Sequence, residues 1–563
     1  FDPPAVIHAR AQRFDGGRQT MKISRAQVGT PFSAGSKRRG ALLCSTALAG
    51  LVAVLPGADP ARAQVVIDNG DTVTVPSVAQ PSPWIIGTGL YVGNAGSGTL
   101  DIEAGGIVSS TLGVIGNKAG SNGAVTVDGA GSAWNTNEIN VVVGNLGMGT
   151  LTIRNGGSVS GPASYIGFGA GSNGAVTVDG VDSKWTIESL AVGYSGAGTL
   201  NIGNAGRVAI ASGVVGENAG STGAVAVDGA GSTWEDSSYL VGGGYGSGAL
   251  TVSNGGSVAN AQGVIGDQTG SDGTVTVDGA GSTWTNTDNL YVGNSGIGTL
   301  TVSGGGGVSD ASGVIGSQAG STGTVSVDGA GSKWTNAGEF DVGLYGDGTL
   351  TVSNGGSVSS DFGSVGYSAD SHGSVTVEGV GSKWSYDDYF DIGHDGTGTL
   401  DIKNGGSVSG DSSYVGAGSG SNGMVTVDGT GSTWTIAEEV DVGGGGDGTL
   451  DVTNGGSVSS DIGNIGSTGA VAVDGAGSKW TNSSYLYISG VLTVSNGGSV
   501  SGTPIYVVSP GTVVIGGMQG GVLQAPGTLD APSVDLSSGA GLEFDHTGTN
   551  YSFDPQITNS GAI

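Results

Sequence analysis

Apolar and polar residues alternate along almost the whole chain in short runs, and nearly every run is closed by glycine. In "GTLTV", residues 298 to 302, Leu300 and Val302 fall on one side of an extended chain and Thr299 and Thr301 on the other. The triplets Leu290-Tyr291-Val292, Phe340-Asp341-Val342, Phe390-Asp391-Ile392 and Val440-Asp441-Val442 keep apolar outer positions around a Tyr or Asp. That pattern predicts strands whose outer positions face a core and whose middle position faces water. No segment sustains a 3.6-residue period. Between the strands stand "SNGG" at 253 to 256, 353 to 356 and 495 to 498, and "DGAG" at 278 to 281. These are turn sequences, in which Gly reaches positive φ at no steric cost and Asn and Asp tolerate it.

The strands repeat. "VDGAGSTWTN", residues 277 to 286, returns about every fifty residues, and the tryptophans keep time with it: Trp84, Trp134, Trp185, Trp234, Trp284, Trp334, Trp384, Trp434 and Trp480. Fixed-period self-similarity marks a repeat architecture. One period, residues 298 to 347, divides into similar halves, "GTLTVSGGGGVSDASGVIG" and "GTVSVDGAGSKWTNAGEFDVG". The expected fold is therefore all-β: a right-handed parallel β-helix (β-solenoid) of ~25-residue coils in ~50-residue double repeats, stacked at ~4.8 Å. The alternative is a β-propeller, since kelch-type blades run to ~50 residues; the similarity of the two halves speaks against it. Trp then recurs at every second coil, as a buried apolar plug or as an exposed aromatic strip. Asp128, Asp179, Asp228, Asp278, Asp328, Glu378, Asp428 and Asp474 form a second row at the same interval. Capping their own turns is the expected role, ahead of weak cation binding.

Composition narrows the class. Gly is 118 of 563 residues without a G-X-Y period, which excludes collagen. Only 11% of residues are charged and β-branched residues abound, unlike a disordered chain. The net charge is −30, unevenly spread: residues 1 to 63 hold nine of the 17 basic residues and three of the 47 acidic ones. The remainder carries eight basic against 44 acidic residues, which excludes a phosphate-binding footprint and hence nucleic acid as a partner.

The basic N-terminal part reads as a leader. Met21 opens a stretch with Lys22, Arg25, Lys37, Arg38 and Arg39, followed by the uncharged "ALLCSTALAGLVAVL", residues 41 to 55. Ala61 and Ala63 then supply a small-x-small cleavage signal before Gln64. The apolar run of 15 residues is short of the ~20 that span a bilayer. The sole cysteine, Cys44, lies inside the leader behind bulky Leu42 and Leu43, which disfavours lipid attachment, and the exported part has no disulfide. The expected organisation is 1–20 upstream remnant, 21–63 extended signal peptide, 64–83 N-terminal cap or lead-in, 84–502 repeat β-helix, and 503–563 continuation of the β-helix.

"GTLTVSNGGSVSS" at 348 to 360, "GVIG" and "AGSTGTV" between 313 and 325, and "VDGAGSTWTN" followed by "LYVGNSGIGTL" resemble the strand-loop-strand repeats in passenger regions of Gram-negative autotransporters, the type V secretion family. The likeness covers residues 84 to 502; the long leader and residues 511 to 563 resemble the parts that flank such arrays. The resemblance implies a Sec-exported protein of the cell surface or outer membrane, carried by a C-terminal β-barrel partner, and acting as an adhesin or in self-association. Residues 503 to 563 hold too few alternating segments for a barrel, so the chain is expected to stop before one; release to the periplasm or medium is the alternative location. A passive stalk and a part of an enzyme-bearing passenger are the alternative functions.

Catalytic chemistry is sparse. The histidines are His8, His372, His394 and His546, and no serine stands in a strand-to-helix elbow. The expectation is a non-enzyme without cofactor, metal or catalytic residues. The least repetitive patch is "WSYDDYFDIGHDG", residues 384 to 396. Its Tyr386, Asp387, Asp388, Tyr389 and His394, with His372 about one coil earlier, are the candidate ligand patch.

Overall fold

The computed structural model describes residues 64–563; the leader, with Ala61 and Ala63, lies outside the described residues, and Gln64 is the first within them. Every regular element among the described residues is a β-strand. The strands wind into a right-handed parallel β-helix. Each coil has three rows. In one coil Ile297–Ser303 is the first row, Gly307–Asp310 the second and Ser312–Ile315 the third, and Thr322–Asp328 starts the next coil. Ladder partners lie one coil apart: Leu300 beside Val325, Trp284 beside Val308, Leu290 beside Gly313. The first row holds 20 strands among the described residues, a stack of roughly 90 Å at ~4.8 Å per coil.

The β-propeller alternative fails on strand direction. Propeller blades are antiparallel, whereas these ladders are parallel from Val65–Ile67 to Gln556–Asn559. The exceptions among the described residues are a small hairpin, Met518–Gln519 with Val522–Leu523, and an isolated bridge between Ser495 and Pro526. Asp71–Val75 already joins the first row, and Thr512–Gly516 and Gly541–Asp545 extend it past residue 502.

Alternation builds the core as the pattern predicts. Leu300, Val302, Val325 and Val327 point inward and are buried, while Thr299 and Thr301 stay partly exposed. Two glycine positions make the tight winding possible. A Cβ on Gly323 would lie 2.2 Å from the Val292 carbonyl oxygen, so only glycine lets the chain pass that corner. At the opposite turn Asn354 and Gly355 both take positive φ, at 51° and 88°.

The tryptophans are the plug. Trp134 to Trp480 are at most 1% exposed, and only Trp84, near the first coils, is partly exposed. On the second row each Trp stands between two valines: Val108, Trp134, Val159, Trp185 and Val208 are successive rungs. The third row alternates in the same phase, as in Leu290, Gly313, Phe340, Gly363 and Phe390. A coil with Trp thus carries another large residue, and its neighbour carries Val with Gly or Ser. The indole leans into the space of the small coil. A Cβ on Gly113 would lie 2.3 Å from Trp134 Cζ2, and one on Gly463 would lie 2.7 Å from Trp480 Cζ2. The fifty-residue period is this two-coil alternation of large and small layers.

The buried indole N–H groups need acceptors. They are met from the end of the preceding coil's second row: Ser110 Oγ for Trp134 at 3.1 Å, Asn260 Oδ1 for Trp284 at 2.7 Å, Asp310 Oδ2 for Trp334 and Ser360 Oγ for Trp384. Where that position is Gly161 or Ile210, the indoles of Trp185 and Trp234 have no protein partner. Asp310 is 5% exposed, and burial pushes its carboxyl up to about 7 against the donation of Trp334.

Two outcomes are expected. Gly113→Val should destabilise the β-helix by about 1–3 kcal/mol through overpacking, and Trp134→Ala by about 3–5 kcal/mol through the cavity. In the double variant the cost should fall below the sum, because the two changes share one space; additivity in a denaturant-unfolding cycle would contradict the packing. The second concerns protons. The folded protein holds a proton on Asp310 that the unfolded chain releases near 3.8. That proton's contribution is therefore complete below pH 3.8 and is lost as pH rises to about 7. Asp310→Asn should reduce the fall in thermal stability between pH 5 and pH 8; an unchanged slope would contradict it.

Candidate functional site

The ligand patch divides between core and surface. Tyr386 ends a second-row strand, Lys383–Tyr386, and turns inward. Its ring fills the space over Gly410 and packs on Phe390 at 5.2 Å; its hydroxyl meets Ser413 Oγ at 2.6 Å, and burial raises its pKa to about 12. Asp387 and Asp388 are exposed on the bend that follows. Tyr389 is half-buried and stacks on Phe362 of the preceding coil, ring centroids 5.3 Å apart. Burial, with neighbouring carboxylates, pushes its hydroxyl up to about 12.

The two histidines occupy different faces. His372 starts a first-row strand, is exposed, and has Nδ1 3.2 Å from Asp347 Oδ1 one coil below. His394 sits at the corner after the third row. Its Nδ1 lies 2.8 Å from Asp391 Oδ2, and its ring stacks on Tyr367 with centroids 4.7 Å apart and planes 5° from parallel. The hydrogen bond to Asp391 raises the His394 pKa, against its own desolvation. Among the described residues no three His, Cys, Asp or Glu side chains gather as metal ligands.

The middle positions of the triplets correct the sequence expectation. Asp341 and Asp391 are buried, at 2% and 7% exposure, while Tyr291 and Asp441 are partly exposed. They do point outward, but bulky neighbours on the same face shelter them. Glu339 and Tyr389 stand two residues before them, and the Tyr367–His394 stack lies at the corner beyond. Asp341 accepts from Ser364 Oγ, its register neighbour. Burial first, and repulsion from Glu339 second, push its carboxyl up to about 7. The run Asp341, Ser364, Asp391, Tyr414 and Asp441 forms one column up the third row. Its sequence signal was the Asp recurring at fifty residues, but burial came from Tyr367 and His394, at positions whose size varies from Gly244 and Ser317 to Phe168 and Tyr194 in other coils.

The acidic row caps turns, though not its own. The carboxylate of Asp328 accepts from Ser353 Oγ and Asn354 Nδ2 of the next coil, both at 2.6 Å, and Asp228 and Asp428 repeat the arrangement. These donors hold the Asp228 and Asp328 carboxyls below the usual range. The Asp's own turn is closed by serine: Ser232 Oγ donates to the Asp228 carbonyl and Ser282 Oγ to that of Asp278. The row is thus a seam that ties every second coil to the one after it.

The first row presents the broadest regular surface. From Ala124 and Thr126 to Ser374 and Thr376, the two central outward positions are Thr, Ser, Ala or Asn in eleven successive coils, none of them charged and none buried. Carboxylates line the margins instead, as at Asp272, Asp347 and the capping row. A neutral strip of roughly 50 Å thus runs along a strongly acidic chain.

No protein-family model matches the chain. An uncharacterized lipoprotein, YdeK, of Escherichia coli strain K12 is 38% identical over 86 residues, which are 15% of this chain and 6% of that protein. The chain thus matches only a small part of that relative's length. Among solved structures, that of a "TibC-catalyzed hyper-glycosylated TibA55-350 fragment" is similar with a TM-score of 0.36 and 20% identity, covering 61% of this chain and 97% of the fragment.

The capping seam yields a local test. Asp328→Ala strips the acceptor from Ser353 and Asn354 and should cost about 1–2 kcal/mol in denaturant unfolding. Asp347→Ala, which removes only the exposed contact to His372, should change stability by less than about 0.5 kcal/mol. Equal costs would contradict the seam.

Proposed function

We propose that the chain is an exported passenger of the autotransporter type, displayed at the cell surface, that works through its outer faces in adhesion or self-association rather than by catalysis. The observation that carries this reading is the neutral first-row strip. Two copies of a chain with 44 acidic and eight basic residues after position 63 repel each other over most of their surface. Along the strip they do not, and flat rows of hydroxyl and methyl groups allow close approach. The repeat resemblance and the β-helix support the same reading. A strip some 50 Å long and two side chains wide is of the order of the ~800 Å² per partner that stable complexes use.

A stalk is the second reading, favoured by the strict two-coil period: removing residues 298 to 347 would delete one period and keep every ladder in phase. Display on a cell separates the two. Cells carrying the full protein should clump or stick to a surface, and introducing carboxylates on the strip, as Thr299→Asp, Thr301→Asp, Thr324→Asp and Thr349→Asp, should abolish it with circular dichroism unchanged. Displayed, folded protein that neither clumps nor sticks would overturn adhesion in favour of the stalk.

A further inference from the structure

The corner at Gly393–Thr397 joins the third row to the first and carries the one histidine among the described residues that is both half-sheltered and tied to a carboxylate. Its backbone rests on neighbouring corners: His394 N–H donates to the Gly366 carbonyl at 3.1 Å, Asp395 N–H to that of Tyr367 at 2.9 Å, and Gly418 N–H to that of His394 at 2.6 Å. The side chain adds two restraints, the Asp391 contact and the Tyr367 stack. The titratable groups around it come from four successive coils. Glu339, Asp341 and Tyr345 belong to the coil two below, and Tyr367 to the coil between. Asp388, Tyr389, Asp391 and Asp395 share its own coil, and Tyr414 stands above. His394 brings the positive charge to this otherwise acidic group.

We propose that this corner is a proton-operated latch: with His394 charged and Asp341 neutral it is held down on the β-helix, and when both give up their protons it opens. The comparable corner at Gly293–Ile297 has matching bonds to the coil below, including Asn294 N–H to the Gly266 carbonyl at 3.0 Å, but Gln318 N–H above it turns to Ser321 Oγ at 3.2 Å, and it has Asn294 in place of the histidine and Tyr291 in place of the buried Asp. Its Asn294 donates to Asp267 Oδ1 at 2.8 Å, so it keeps a carboxylate partner but has no imidazolium to lose and no buried acid in the triplet.

Both protonation equilibria act in one direction. The His394 pKa is raised by Asp391, so its contribution is complete below the ordinary 6.5 and is lost as pH rises through the raised folded value. Asp341 holds its proton up to about 7, so its contribution is complete below 3.8 and gone above about 7. On the far side of neutrality ionised Asp341 stands against Glu339, two rungs below Asp391 in the column, and the histidine no longer offsets these acids. Like charges sheltered from water repel more strongly than on the open surface. Of the corner's residues only Thr397 belongs to a ladder, so His394 to Gly396 can move with the ladders intact.

The test is amide hydrogen exchange of the full chain at pH 6.0, 7.2 and 8.5, each rate normalised to that of the free peptide at the same pH. Protection of His394, Asp395 and Gly418 should fall at least tenfold more than that of Asn294 and Ser295 between pH 6.0 and 8.5, with first-row amides unchanged. Asp341→Asn keeps that one position neutral and should remove most of that extra fall, and Asp391→Asn should lower protection already at pH 6.0. Parallel loss at the two corners in the wild type overturns the latch, and so does a full fall retained in Asp341→Asn.

Discussion

The rise from one coil to the next is set by hydrogen bonding between parallel strands, and no side chain can change it. An indole needs more room than one ~4.8 Å layer offers. The chain meets that constraint by alternating bulk. Trp and Leu or Phe fill one coil, Val and Gly or Ser the next, so that each large layer borrows volume from the small one that precedes it. Packing at uniform density then forces the two-coil period, with its Gly in the middle of a strand, where it would otherwise only weaken the sheet.

The same constraint shapes the polar part of the core. Because each indole projects toward the preceding coil, its N–H arrives at one fixed position there, and Ser110, Asn260, Asp310 or Ser360 supplies the acceptor. A residue chosen to satisfy a tryptophan thereby becomes a buried acid at Asp310. Stacking also sets the exterior. Whatever stands at one outward position is repeated one layer up, so local chemistry becomes a column: neutral hydroxyls along the first row, capping carboxylates at its end, acids and aromatic rings along the third. A surface built from columns is suited to extended contact, and this is the physical basis of the adhesive reading.

The candidate patch shows how far a linear reading reaches. Tyr386 and Tyr389 are three residues apart, yet one seals a core gap over Gly410 and the other stacks on the outside. The strand ends between them, and the face each takes depends on where. His372 and His394 are about one coil apart along the chain, but they belong to different rows and meet different carboxylates. Distance along a coil counts around its circumference as well as along its axis, which sequence spacing alone does not separate.

By itself the sequence determined the strand class, the coil length, the inward positions and the turn sites, because each follows from a period of two, a period of twenty-five and the stereochemistry of Gly and Asn. Those are local properties, repeated often enough to exclude chance. The tertiary structure decided the rest: that the tryptophans are buried, that Asp328 serves the turn of the next coil, and that Asp341 and Asp391 are sheltered. Each of these depends on which residue lies one layer above or below, and that register exists only once the coils are stacked.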